Sequence, residues 1–313
     1  MSTHDHDHGV SAGADRRWLT LALGLIVAFM AGEVVVGLIA GSLALLSDAA
    51  HMLTDAGAIV LALIAMRLAA RPARGGYTYG LKRAEILSAQ ANGVTMLILA
   101  AWLAFEGIRR LIDPPEVTGS LVLITALAGV VVNIAAAAAM SRANRSSLNV
   151  EGAFQHVLND LYAFLATAVA GVVIVTTGFA RADAIATLVV VALMVKAGAG
   201  LVRESGKIFL EAAPAGLDPQ RIGAGLAGIG GVVEVHDLHV WQITSGQPAL
   251  SAHVLVVPGG DCHAVRAEIE RLLHESYHLT HSTLQIDHAA AGTGPPTGAR
   301  HCEDAHGASY SRT

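Results

Sequence analysis

The chain has 313 residues, 53% hydrophobic and only 14% charged, with a formal net charge of -5 and a mean hydropathy of +0.54. A soluble domain carries about 25% charge, so this composition excludes an ordinary water-soluble protein, and the lack of a broad basic face or a known motif excludes a nucleic-acid binder. Cys262 and Cys302 are the only cysteines, which rules out a disulfide scaffold or a four-cysteine zinc site within one chain.

The opening MSTHDHDHGVSAGADRR places its His/Asp run ahead of its arginines, and the apolar run beyond is too long for a signal core. The first span is therefore expected to remain in the mature protein. Residues 1–15 read as a tail in which His4, His6 and His8 offer at most weak metal binding. Six apolar stretches follow, at about 18–40, 43–66, 85–108, 118–140, 152–178 and 182–202. Each meets the roughly 20 residues that a bilayer crossing needs. Residues 16–207 thus read as a transmembrane domain of six helices.

Arg16 and Arg17 precede the first span, and Arg67, Arg71, Arg74, Lys82 and Arg83 separate the second and third. Arg142 and Arg145 separate the fourth and fifth, and Arg203 and Lys207 follow the sixth. Excess Lys and Arg mark cytoplasmic loops, so both termini are expected inside. Arg109 and Arg110 dissent, falling at the outer end of the third span beside Asp113 and Glu116.

One pattern occurs twice within these spans: His51 with Asp55 in the second, His156 with Asp160 in the fifth. Four-residue spacing puts each pair on one helix face. Ionisable groups are costly in hydrocarbon and mark a partner, a metal or an ion path. The pairs enter their spans from opposite sides to similar depth, near the middle of an approximately 30 Å hydrocarbon layer. Two imidazoles and two carboxylates complete a tetrahedral shell and neutralise a divalent cation. Zinc suits that donor set, cobalt and cadmium fit a similar one, and calcium or magnesium would favour more oxygen ligands. Protons compete for the same four groups, which couples metal movement to proton movement. Asp48, one turn before His51, reads as an entrance carboxylate or alternative ligand. Glu33, Gln90, Asn92, Asn133 and Asn159 read equally as packing contacts or ion contacts.

After EAAPAGLDP the pattern becomes that of a water-soluble unit. A helix is expected over about 219–227, followed by the strand VVEVHDLHVWQI, the turn SGQP and the strand ALSAHVLVV. The helix CHAVRAEIERLLHESY and the strand HSTLQID complete it. The order is α-β-β-α-β, a compact α+β domain over 208–289. Residues 290–313 hold too little apolar surface for a core and read as a flexible tail.

LSDAAHMLTD, YTYGLKRAEILSAQANG, FQHVLNDLYAFLATAVAGVVI and VHDLHVWQITSGQPALSAHVLV resemble the cation diffusion facilitator family, in particular its zinc-transporting bacterial branch, over roughly residues 16–288. The resemblance implies six transmembrane helices, a cytoplasmic metallochaperone-like domain, a homodimer in a bacterial inner membrane, and exchange of cytoplasmic metal for external protons. Carried onto this chain it makes His51, Asp55, His156 and Asp160 the transport site. It also implies a regulatory zinc site at His236, His253, His263 and Asp287. The chain departs at Gln285, which falls where some bacterial relatives carry a histidine. His288, or His301 and Cys302 from the tail or a second subunit, are the candidates to compensate. The short RANRSS link between spans four and five also departs from relatives with a His-rich loop.

A membrane-bound zinc sensor is the competing reading. It uses the soluble histidines but leaves two intramembrane ligand pairs without purpose. A hydrolase is excluded by the lack of a serine or cysteine nucleophile arrangement and of HExxH.

Overall fold

The computed structural model of the chain describes residues 12–40, 43–113, 119–289 and 307–311. It divides into two compact units, Met1–Gly206 and Lys207–Thr313.

The first unit is built from α1 (Ala12–Ala40), α2 (Leu43–Ala69), α3 (Ala84–Ile112), α4 (Gly119–Met140), α5 (Leu148–Thr177) and α6 (Ala182–Phe209). Among the described residues α1, α3, α4, α5 and α6 are long and apolar enough to cross a membrane, and α2 adds the apolar run Ala56–Ala69. Six spanning helices follow. Several helices outrun their apolar stretches, α1 beginning at Ala12 and α6 continuing to Phe209. Helical hydrogen bonding does not stop where hydrocarbon stops; only the side chains change.

The core of this bundle joins Leu19 and Ile26 of α1, Ile59 and Met66 of α2, Met140 of α4 and Val150 and Val157 of α5. Without a hydrophobic driving force inside lipid, such helices associate by close packing and polar contacts. Both devices are present between α3 and α6. A Cβ on Gly93 would lie 3.1 Å from the Gly198 carbonyl, and one on Gly198 only 3.0 Å from the Gly93 carbonyl. Ser205 hydrogen-bonds Gln90 across the same pair of helices. Arg110 explains the dissent in the charge pattern: its guanidinium pairs with Glu106 at 2.9 Å and with Asp183 of α6 at 3.6 Å. Arg109 pairs with Glu106 at 3.6 Å. These two cations are locally neutralised by acids on α3 and α6.

The second unit contains α7 (Pro219–Ala227), β1 (Val232–Thr244), β2 (Gln247–Val256), α8 (Cys262–Tyr277), β3 (His281–His288) and β4 (Tyr310–Ser311). Asp218 caps α7 by accepting from Gln220, with proline at the first helical position, and Asp261 caps α8 by accepting from His263 and Ala264. The sheet order is β3-β2-β1-β4. β1 runs antiparallel to β2, while β3 returns parallel to β2 after the α8 crossover. One sheet face supplies Val240, Leu250, Ala252 and Val254 to a core shared with Ile222 and Leu226 of α7 and Ile269 and Leu273 of α8. Alternation turns the next residues to the opposite face.

Residues Tyr310 and Ser311 fall in the stretch expected to lie outside the fold, yet they form an edge strand with Val235 and Glu234. Tyr310 packs against the core, and a Cβ on Gly223 would run into its ring. Glycine at 223 is what admits the ring. One aromatic side chain anchors a segment whose average composition forecasts none. Gly223→Ala and Tyr310→Ala should each expose the β1 edge and cost about 1–2 kcal/mol. Faster hydrogen exchange at the Val235 amide, with a lower domain melting temperature, would show it; unchanged protection in both variants would refute the anchoring role.

Candidate metal sites

The intramembrane pairs lie on α2 and α5. His51 and Asp55 occur on the described α2 backbone, but their side chains lie outside the described residues, as does the Asp48 side chain. His156 is buried at 3% exposure and Asp160 is half-buried.

Asn149, fully buried in the first turn of α5, donates from Nδ2 to the Ala62 carbonyl of α2 at 3.0 Å. The short links of the bundle make successive helices alternate in direction, so α2 and α5 run antiparallel. The bond therefore sets their register. Asp55 lies seven residues before Ala62, and His156 seven residues after Asn149. His51 and Asp160 are each eleven residues from the same bond. At 1.5 Å per residue the two pairs of levels fall about 10 and 16 Å from it. The α5 backbone at His156 is thus level with α2 at Asp55, and Asp160 with His51. Asn149 was not singled out in the sequence; the equal offsets to two HxxxD pairs are the signal that would have found it.

In the C-terminal domain, His236 on β1 is in register with His253 on β2, which is in register with Gln285 on β3. The two imidazoles stand edge to face with centroids 5.5 Å apart. Asp287 follows on the same face of β3, and its carboxylate accepts from Gln285 Nε2 at 3.0 Å. His236, 6% exposed, has Glu234 at 3.2 Å. Row and carboxylate lie on the face opposite the helices.

The register also carries a bulge. His236 opposes His253 whereas His239 opposes Ser251, so three steps on β1 match two on β2. Asp237 takes up the extra residue with φ of 52°, in the left-handed region that Asp tolerates better than most residues. The bulge keeps His236 and His239 on one face and sets the Asp237 carboxylate between His239, at 2.9 Å, and His253, at 3.7 Å. Asp237 was missed in the sequence. Its signal is parity: two histidines three apart on one strand share a face only through an inserted residue.

His263 sits exposed in the first turn of α8, a helix packed on the other face of the sheet. His288 bonds the Gly260 carbonyl at 2.9 Å, fastening the strand end to the loop before α8. Among the described residues no three His, Cys, Asp or Glu side chains stand at metal-holding separation. His4, His6, His8, His301 and Cys302 lie outside the described residues.

A bundle of six spanning helices with ionisable groups at depth, followed by a small α+β domain bearing a histidine row, defines a multi-pass membrane cation transporter rather than an enzyme. Two family models cover nearly the whole of it. Residues 19–210 match the cation efflux transmembrane domain, and residues 214–289 match the cation efflux protein cytoplasmic domain. The chain belongs to the cation efflux family. It is similar to the cadmium, cobalt and zinc/H(+)-K(+) antiporter of Bacillus subtilis, 34% identical over 90% of this chain and 91% of the relative. It is likewise similar to the metal cation efflux system protein CzcD of Cupriavidus metallidurans, 35% identical over 91% and 89%. The zinc transporter ZitB of Escherichia coli is 33% identical over 91% and 92%.

Proposed function

We propose that this protein exports cytoplasmic Zn2+ in exchange for protons by alternating access, with His51, Asp55, His156 and Asp160 as its transport site. The observation that carries the reading is the register of α2 and α5. One buried hydrogen bond brings two HxxxD levels, contributed from antiparallel helices, to common depths. Two carboxylates balance the metal's charge, and two neutral imidazoles supply nitrogen donors. Protonating any of the four weakens the site, so external protons release metal and cytoplasmic metal displaces protons. Relatives named for zinc, cadmium and cobalt agree with this donor set, and Cd2+ and Co2+ are the expected secondary cargoes.

In this reading both termini face the cytoplasm of a bacterial cell, in whose inner membrane the protein sits as a homodimer joined through residues 208–289. Zinc at His236, His253 and Asp287 regulates it, and His263, whose helix packs on the other face of the sheet, joins that set from a second subunit, the tail supplying the remaining candidates. Purified protein in vesicles should move zinc along an imposed pH gradient; no flux under a gradient that drives a control antiporter would overturn the reading. The sensor alternative gives α2 and α5 no reason to carry ligands.

Gln285 is the weak position of the regulatory row, because an amide is a poor zinc ligand. Gln285→His adds a third imidazole beside His253 and should raise zinc affinity of the domain roughly tenfold, about 1.4 kcal/mol. Calorimetry on full-length protein carrying His156→Ala isolates that site. An unchanged dissociation constant would remove Gln285 from it.

A further inference from the structure

Residues 70–83 link α2 to α3. From residue 56 to residue 84 the chain carries Arg67, Arg71, Arg74, Lys82 and Arg83 and no Asp or Glu. Two arginines at other helix ends are answered by carboxylates, Arg110 by Glu106 and Asp183, and Arg145 by Glu151. Arg67, Arg71 and Arg74 are exposed, and none of the three has an ion-pair partner among the described residues.

The link is a built turn rather than slack chain. Arg74 and Tyr77 exchange both backbone hydrogen bonds, at 3.2 and 3.1 Å. Gly75, with φ of 57°, and Gly76 close the turn between them, as two-residue hairpin loops require. Gly80 then returns with φ of 74°, so close that a Cβ on it would stand 2.9 Å from the Arg71 carbonyl. The closed loop presents Tyr77, 65% exposed, and Tyr79, 48% exposed, together with Arg71 and Arg74. Position decides what such a surface meets. Arg67 is in the last turn of α2, Arg71 is two residues past its end, and Arg74 is at most about 10 Å further along the chain. The headgroup layer is roughly 5–8 Å thick on each side of the hydrocarbon, a depth that long arginine stems cover. Guanidinium forks match phosphate oxygens, and tyrosine rings settle at headgroup level. A zwitterionic headgroup answers its phosphate with a cation of its own, so uncompensated arginines favour an anionic one.

We propose that the α2–α3 hairpin is a binding site for the phosphate group of an anionic phospholipid. Arg71 and Arg74 hold the phosphate, Arg67 adds charge from the helix end, and Tyr77 and Tyr79 seat the turn among the headgroups. In the orientation proposed above the lipid belongs to the cytoplasmic leaflet, whose surface potential is negative. The site is independent of the cargo and needs only that α2 and α3 span the bilayer.

Native mass spectrometry of the full-length protein tests the site, with equal phosphatidylglycerol and phosphatidylcholine supplied in neutral detergent. Juxtamembrane arginines contribute roughly fivefold each. Wild type should therefore retain phosphatidylglycerol at least about 25-fold better than phosphatidylcholine, the product of two such contributions. Arg71→Gln and Arg74→Gln should each cut that ratio about fivefold, and the double variant should bring the lipids close to parity. Arg74→Lys keeps the charge and should lose less than Arg74→Gln. Tyr77→Ala should weaken both lipids alike. All three side chains are exposed, so the variants are expected to fold. Arg203→Gln, which removes an exposed cation on α6, should leave the ratio unchanged. Equal retention of the two lipids by wild type would overturn the site, as would an equal loss of preference in Arg203→Gln and Arg71→Gln. Inorganic phosphate retained at the same arginines without lipid preference would make this a free-anion site, which also overturns the lipid. Zinc flux enters none of these readouts, so failure of the transport reading would leave them standing.

Discussion

Asp160→Asn and His156→Ala should each reduce proton-driven zinc flux by at least about 100-fold while leaving the protein folded and in the membrane. Both groups sit on α5 within packed surroundings, His156 at 3% exposure. Removing one partner from a buried charged set costs roughly 3–5 kcal/mol, and each 1.4 kcal/mol is a factor of ten in occupancy. The two variants should differ in detail. Asp160→Asn leaves the bound metal with an uncancelled positive charge, so binding falls at every pH. His156→Ala keeps both carboxylates and removes a nitrogen donor, shifting preference toward harder cations such as Mn2+. Zinc, cadmium and manganese flux compared across the wild type and both variants gives the answer. Undiminished zinc flux in both would remove α5 from the transport site.

The bundle was legible because a bilayer imposes a length: apolar runs of some twenty residues have few other uses, and each became a helix. Hydropathy could not locate the helix ends, since Arg16 and Lys207 continue helices whose apolar part is over. The helix and strand order of the C-terminal domain was legible for a second reason, the change from period 3.6 to period 2. What stayed hidden depends on pairing between distant segments. The bulge at Asp237 exists only relative to β2, the strand at Tyr310 only relative to β1 and Gly223, and the role of Asn149 only relative to Ala62.

Asn149→Leu should uncouple the two ligand-bearing helices and lower zinc flux at least tenfold, an effect second only to loss of a ligand. The Asn149 amide is fully buried, and its bond to Ala62 is a polar contact between α2 and α5. Interhelical hydrogen bonds in membranes contribute only about 0.6–2 kcal/mol, so the bundle should still assemble. The larger consequence is positional. The bond acts about 10 Å from the nearer ligand level, and a one-residue slip moves each helix 1.5 Å and turns it by 100°. A tetrahedral metal shell tolerates distance errors of about 0.2 Å, so a slip that barely changes stability empties the site. Asn149→Asp distinguishes register from packing: it keeps the volume but presents an acceptor to an acceptor carbonyl. Expected outcomes are near-normal melting temperatures for both variants, with zinc affinity reduced in both. Cross-linking between cysteines placed at Ala62 and Asn149 should restore zinc binding without the amide. Normal zinc affinity in Asn149→Leu would show that packing of Ile59 and Met66 against Val150 and Val157 holds the register unaided, and would remove the hydrogen bond from the account of how the four ligands meet.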